Sequence, residues 1–124
     1  MAKNIFVVED DNFLQGLEMT KLQKSGYDVT VAGDGDEAYK VIEGGKVIDL
    51  IILDLMMPKF DGFSFLEKIK KDPKYASIPV IVFSNLYEDA DVEKTKKLGV
   101  SDFMVKANFT LDELSAKIKN LIGE

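Results

Sequence analysis

LIILDLMMPKFDG, residues 50–62, decides how this chain folds. Four apolar residues, Leu50 to Leu53, run into Asp54, and after Met57-Pro58 the chain turns at Asp61-Gly62. A short unbroken apolar run bounded by turn signals reads as a strand buried on both faces, which is what the middle of a parallel sheet requires. The residue that ends it is a carboxylate. In open α/β sheets the carboxyl ends of the strands border the crevice that takes ligands, so Asp54 stands where chemistry is expected.

On either side of this strand a strand–helix alternation repeats. Asn4 to Val8 (NIFVV) reads as a buried strand ending in Glu9, Asp10 and Asp11. A helix follows, capped by Asp11 or Asn12, with Phe13, Leu14, Leu17 and Leu22 as its apolar face and Gly26 as its stop. Tyr27 to Val31 alternates and is rich in β-branched residues, which suits a strand nearer the sheet edge. A short helix carrying Ala38, Val41 and Ile42 then ends at Gly44-Gly45. Beyond the opening stretch, Phe63, Leu66 and Ile69 recur at helical spacing up to Asp72-Pro73, and Pro79 introduces a strand from Val80 to Phe83, closed by Ser84-Asn85. A charged helix over 88–98 has only Ala90, Val92 and Leu98 as apolar residues, so its packing is expected to be thin and mobile. Asp102 to Val105 reads as a fifth strand. Thr110 and Glu113 form a capping box that opens a last helix, with Leu111, Leu114, Ile118, Leu121 and Ile122 towards the core. Strands and helices alternating five times over predict an α/β fold, a parallel sheet with right-handed crossovers and helices on both faces. The 124 residues read as one domain, 1–124, without repeat or linker.

Composition narrows the chemistry. The chain has no cysteine and no histidine, which excludes disulfides, thiolate or imidazole zinc sites, a cysteine nucleophile and a Ser-His triad. Its 16 basic residues are all lysine, against 22 acids, and a net charge of −6 argues against direct contact with nucleic acid. No segment reaches the ~20 apolar residues of a membrane span, and no signal peptide is evident, so a cytoplasmic protein is expected.

If the sheet is parallel, the strand ends open on one edge, bringing together Glu9 and Asp10, Asp54, Ser84 and Lys106. Like-charged carboxylates about 4 Å apart repel by on the order of 4 kcal/mol at an effective dielectric near 20. Lys106 offsets part of this. The remainder calls for a cation, and an oxygen-only cluster favours Mg²⁺, with Mn²⁺ as an alternative. A hard cation, an ammonium and a hydroxyl around one carboxylate suit a phosphoryl group, with Asp54 as in-line nucleophile.

These residues resemble the receiver domains of two-component response regulators, most closely in the layout of the single-domain chemotaxis regulator. VVEDD at 7–11, LDLMMPKFDG at 53–62, VIVFSN at 80–85 and FMVKANF at 103–109 stand in that family's order and spacing. The resemblance implies a flavodoxin-like (βα)5 three-layer sandwich with strand order 2-1-3-4-5. It also implies that Asp54 is the phosphoacceptor, that Glu9 and Asp10 bind the metal with the Met56 carbonyl, and that Ser84 and Phe103 are the switch pair beside Lys106. The implied donor is a sensor histidine kinase, a phosphotransfer protein or a small acyl phosphate. The implied output is a changed surface on the fourth helix, fifth strand and fifth helix, read by a downstream protein target or a tethered output domain. The domain would be a monomer or a phosphorylation-dependent dimer, and a signalling switch rather than an enzyme with its own substrate.

Two departures from that pattern matter. The family usually has proline directly after the lysine, and here Ala107 stands there, which leaves the lysine loop less constrained. The positions two after Asp54 and two after Ser84 are Met56 and Leu86, neither able to orient a water, which predicts slow autodephosphorylation. An aspartate-nucleophile phosphatase is a rival, but such enzymes carry a second aspartate where Met56 stands. A degenerate receiver that only docks partners is a second alternative, kept open by Ala107. Other residues have plain readings: Asp61-Gly62 as turn chemistry, the lysines at 68, 70, 71, 94, 96 and 97 as solvated helix faces, and Met57 as loop filler.

Overall fold

The computed structural model describes residues 2–85 and 88–123. In chain order come β1 (Asn4–Val8), α1 (Asn12–Lys24), β2 (Asp28–Ala32), α2 (Gly35–Glu43), β3 (Leu50–Leu53) and α3 (Gly62–Lys71). There follow β4 (Val80–Ser84), α4 (Asp89–Lys97), β5 (Asp102–Val105), a 3₁₀ turn over Lys106–Asn108, and α5 (Leu111–Ile122). All strands pair in parallel, in the order β2-β1-β3-β4-β5, the flavodoxin-like sandwich that the alternation and the resemblance imply. β1, β3 and β4 occupy the centre and are buried on both faces, which is why their sequences are continuous apolar runs.

Alternate residues of each central strand feed two cores. Phe6, Val8, Ile51, Leu53, Val80 and Val82 face α2 and α3, with Leu98 after α4 packed beside them, and meet Ala38, Ile42, Phe65, Leu66 and Ile69. Ile5, Val7, Leu50, Ile52, Ile81 and Phe83 face α1 and α5 and meet Leu22, Leu114 and Ile118. The sheet is therefore held on both sides, and its carboxyl-end edge is free to carry polar groups. The ends of the helices are tied as their sequences suggest: Asp11 Oδ1 accepts from Leu14 N at 3.0 Å, and Thr110 and Glu113 form the full capping box.

Three expectations are corrected by the packing. On α1, Phe13 and Leu17 face outward, at 77% and 42% exposure, while the inward stripe is Leu14, Glu18 and Leu22. The apolar residues of this helix are spread around its circumference, so spacing alone cannot orient it; the cap at Asp11 and the anchoring of Leu22 and Tyr27 do. On α5, Leu121 lies at the exposed margin, because Leu111, Leu114, Ile118 and Ile122 already fill the stripe against the sheet. On α4, Ala90 is exposed, and the helix packs as thinly as expected through Leu98 together with the buried Thr95, whose hydroxyl donates to Val92 O at 2.7 Å.

Gly62 is more than a turn residue. It is buried in the first turn of α3, where Asp61 caps by accepting from Phe63 N and Ser64 N, and a Cβ there would fall 2.6 Å from Leu55 Cδ2 and 3.1 Å from Leu55 Cα. Leu55 directly follows Asp54, so this close approach sets the course of the chain leaving the strand end. Gly62→Ala is expected to destabilise the domain by about 1–3 kcal/mol through overpacking. Urea denaturation reads this directly, and an unchanged midpoint would contradict it.

Candidate functional site

The end of β3 delivers Asp54 to the free edge of the sheet, with its backbone N–H held by Val8 O at 3.1 Å. Asp54 is 3% exposed, and both of its carboxylate oxygens are engaged. Oδ1 accepts from Ser84 Oγ at 2.8 Å and from Met56 N at 2.9 Å, and Oδ2 accepts from Lys106 Nζ at 2.7 Å. Ser84 can make this bond because β4 runs through it, one residue longer than the apolar run suggests, in register with Val105 of β5. Lys106 begins the turn directly after β5, and its Nζ also lies 2.6 Å from Glu9 Oε1. Glu9, at the end of β1, is buried, and its Oε2 accepts from Asp11 N at 3.1 Å.

Carboxylate oxygens of Glu9, Asp10 and Asp54 all lie within 4.8 Å of one another. They share an open cleft of about 300 Å³ with Asp11, Met56, Asn85 and Lys106. Oxygen donors of this number at an open edge fit a hard divalent cation that retains water. The electrostatics show the same need. Burial raises the Glu9 pKa, partly opposed by the bonds from Lys106 and Asp11, while the neighbouring Asp54 charge raises it further. Partial burial opposes the charge on Lys106, but its bonds to Asp54 and Glu9 outweigh this and hold the ammonium above its usual pKa.

The structure thus brings together Glu9, Asp10, Asp54, Ser84 and Lys106. Met56 contributes its N–H, with its side chain exposed, and Leu86 lies outside the described residues. Phe103 on β5 is half-buried against the α2–α3 core and pairs in register with Val82. Ala107 has a positive consequence. Among the described residues no peptide bond is cis, and Ala107 N donates to Asn85 Oδ1 at 3.2 Å, a bond that a proline could not make. The loop after β5 is therefore tied to the loop after β4. Sequence reasoning passed over Asn85, and it passed over Glu18, whose buried place within a helix of mixed pattern no spacing signalled.

The chain matches the response regulator receiver domain family over residues 5–119, and it belongs to that family of phosphorylation-dependent signalling domains. It is 35% identical over 122 residues to the alkaline phosphatase synthesis transcriptional regulatory protein PhoP of Bacillus subtilis, covering 98% of this chain and 49% of that protein. To a probable transcriptional regulator, ycf27, of Cyanidium caldarium it is 35% identical over 119 residues, 96% of this chain and 46% of that protein. The chain spans about half the length of these curated relatives. Among solved structures, the receiver domain of the Francisella response regulator 1452 is 33% identical, with a TM-score of 0.84 over 97% of this chain and 96% of that one. The chemotaxis response regulator CheY4 of Vibrio cholerae, at 24% identity and a TM-score of 0.87 over 98% and 99% of the two chains, shares the fold. Among the described residues no helix is long and apolar enough to cross a membrane.

Proposed function

We propose that this chain accepts a phosphoryl group on Asp54 and uses it to switch a protein-binding surface. The observation that carries the reading is the engagement of Asp54 by Lys106 on one oxygen and by Ser84 and Met56 N on the other. The transfer needs one bond made and one broken: an Asp54 oxygen attacks phosphorus, and the leaving group departs in line with its electron pair. The donor is a phosphohistidine on a sensor kinase or phosphotransfer protein, or a small acyl phosphate, and the product is an aspartyl phosphate. Glu9, Asp10, Asp54 and the Met56 carbonyl would hold Mg²⁺, or Mn²⁺ in its place, and the ion would supply charge neutralisation for the phosphoryl oxygens. Lys106, already a charged donor to Asp54, follows the new negative charge.

Ser84 then exchanges its Asp54 acceptor for a phosphoryl oxygen, and Phe103, half-buried on the neighbouring strand, moves inward. The thin packing of α4 supports such a two-state response, since few contacts must be remade. With Met56 apolar and exposed beside the site, water is poorly directed at phosphorus and the phosphorylated state is long-lived. The relatives named as transcriptional regulators favour an output in transcription. The acidic charge of this chain favours a contact with DNA made by a partner or tethered domain rather than by the receiver itself. Beryllofluoride with Mg²⁺, a stand-in for the bound phosphoryl group, tests the switch: amide shifts should move across 88–110, and a spectrum unchanged there would refute it.

A further inference from the structure

Among the described residues, Glu18 is the one buried carboxyl that the phosphoryl site does not use. It is 1% exposed on the inward stripe of α1, and among the described residues neither carboxylate oxygen has a hydrogen-bond partner. A lone carboxylate in such a place is strongly disfavoured unless it is neutral or faces a cation. The charges that act on it come from the site itself. The loop after β1 contributes Glu9 and Asp11, the end of β3 contributes Asp54, and the turn after β5 contributes Lys106. From α5 come Asp112 and Lys117, already paired with Lys21 and Asp102, and β2 contributes only Asp28, exposed at its far end.

We infer that Glu18 stores a proton in the resting domain and releases it to solvent when a divalent cation enters the acidic cleft, so that cation binding is coupled to pH. The inference rests on the metal reading of Glu9, Asp10 and Asp54 given above. It follows from two facts of geometry: an unpartnered buried carboxyl, and its position on α1, the helix whose Gln15 Nε2 donates to Glu9 O at 2.9 Å at the rim of the acidic cleft. Burial, together with Glu9 and the other nearby acids, raises its pKa to about 8. A cation in the cleft offsets the nearby negative charge and favours ionised Glu18, and by reciprocity ionised Glu18 tightens the cation. Glu18 touches neither donor nor phosphoryl group; it acts on the cleft through space.

The test uses the whole chain labelled with ¹³C at the glutamate carboxyl carbon, with Glu18→Gln to identify the resonance and to mimic the neutral acid. Without metal, the Glu18 carbon should titrate near pH 8. Saturating Mg²⁺ at neutral pH should shift it towards the carboxylate position. Mg²⁺ affinity of the wild type should rise on the order of fivefold between about pH 7 and pH 9, and that of Glu18→Gln should stay nearly flat. A Glu18 carbon that stays fixed while the Asp10 and Asp54 amides respond to Mg²⁺ would overturn this inference and leave the phosphoryl site standing. No response to Mg²⁺ at any cleft residue would overturn both.

Discussion

Glu18→Leu is expected to stabilise the domain strongly in alkaline solution and little in acid. The folded protein holds the Glu18 carboxyl at a pKa of about 8, against 4.5 for the free side chain. A group whose pKa is raised on folding contributes its full stability below its unfolded pKa, and that contribution is lost as pH climbs to the folded value. At about 1.4 kcal/mol per pH unit, the wild type loses roughly 5 kcal/mol across this window. Leucine is similar in size, packs onto Leu22 and the sheet, and carries no charge to ionise. The gain of the variant over wild type should therefore be small near pH 4.5, grow steadily, and level off above pH 8. Urea denaturation of both proteins through that range measures it, and stability curves that run parallel would contradict the assignment.

The fold was legible because three strands carry unbroken apolar runs, at 5–8, 50–53 and 80–83, of the kind that a sheet covered on both faces buries. The site was legible for a topological reason. Parallel strands send every carboxyl end to one edge, so the last residues of the runs, scattered in sequence, had to meet. Less legible was what depends on rotation and on pairing across loops. The helix after β1 carries apolar residues on several faces, and no periodicity could tell that Glu18 would turn inward while Phe13 and Leu17 turned out. Leu121 failed as a core residue because its neighbours had already filled the stripe. Lys106 was expected beside Asp54, but its second bond, to Glu9, depends on the depth at which β1 ends, and the clasp between Ala107 and Asn85 depends on two loops from different strands.

Asp54→Ala is expected to abolish phosphoryl uptake while leaving the fold intact. The substitution removes the carboxylate that both Lys106 and Ser84 address. It should not unfold the domain, because Lys106 keeps its bond to Glu9 and because the repulsion that Asp54 exerts on buried Glu9 disappears with it. Circular dichroism should therefore match wild type, and loss of uptake cannot be ascribed to collapse. Glu9 and Asp10 remain in the cleft, so residual labelling on a neighbouring acid would show as well. The decisive measurement is intact-protein mass spectrometry after incubation with acetyl phosphate and Mg²⁺. One added phosphoryl group on the wild type and none on Asp54→Ala is the predicted result; equal uptake by the two proteins, or none by either, would contradict it.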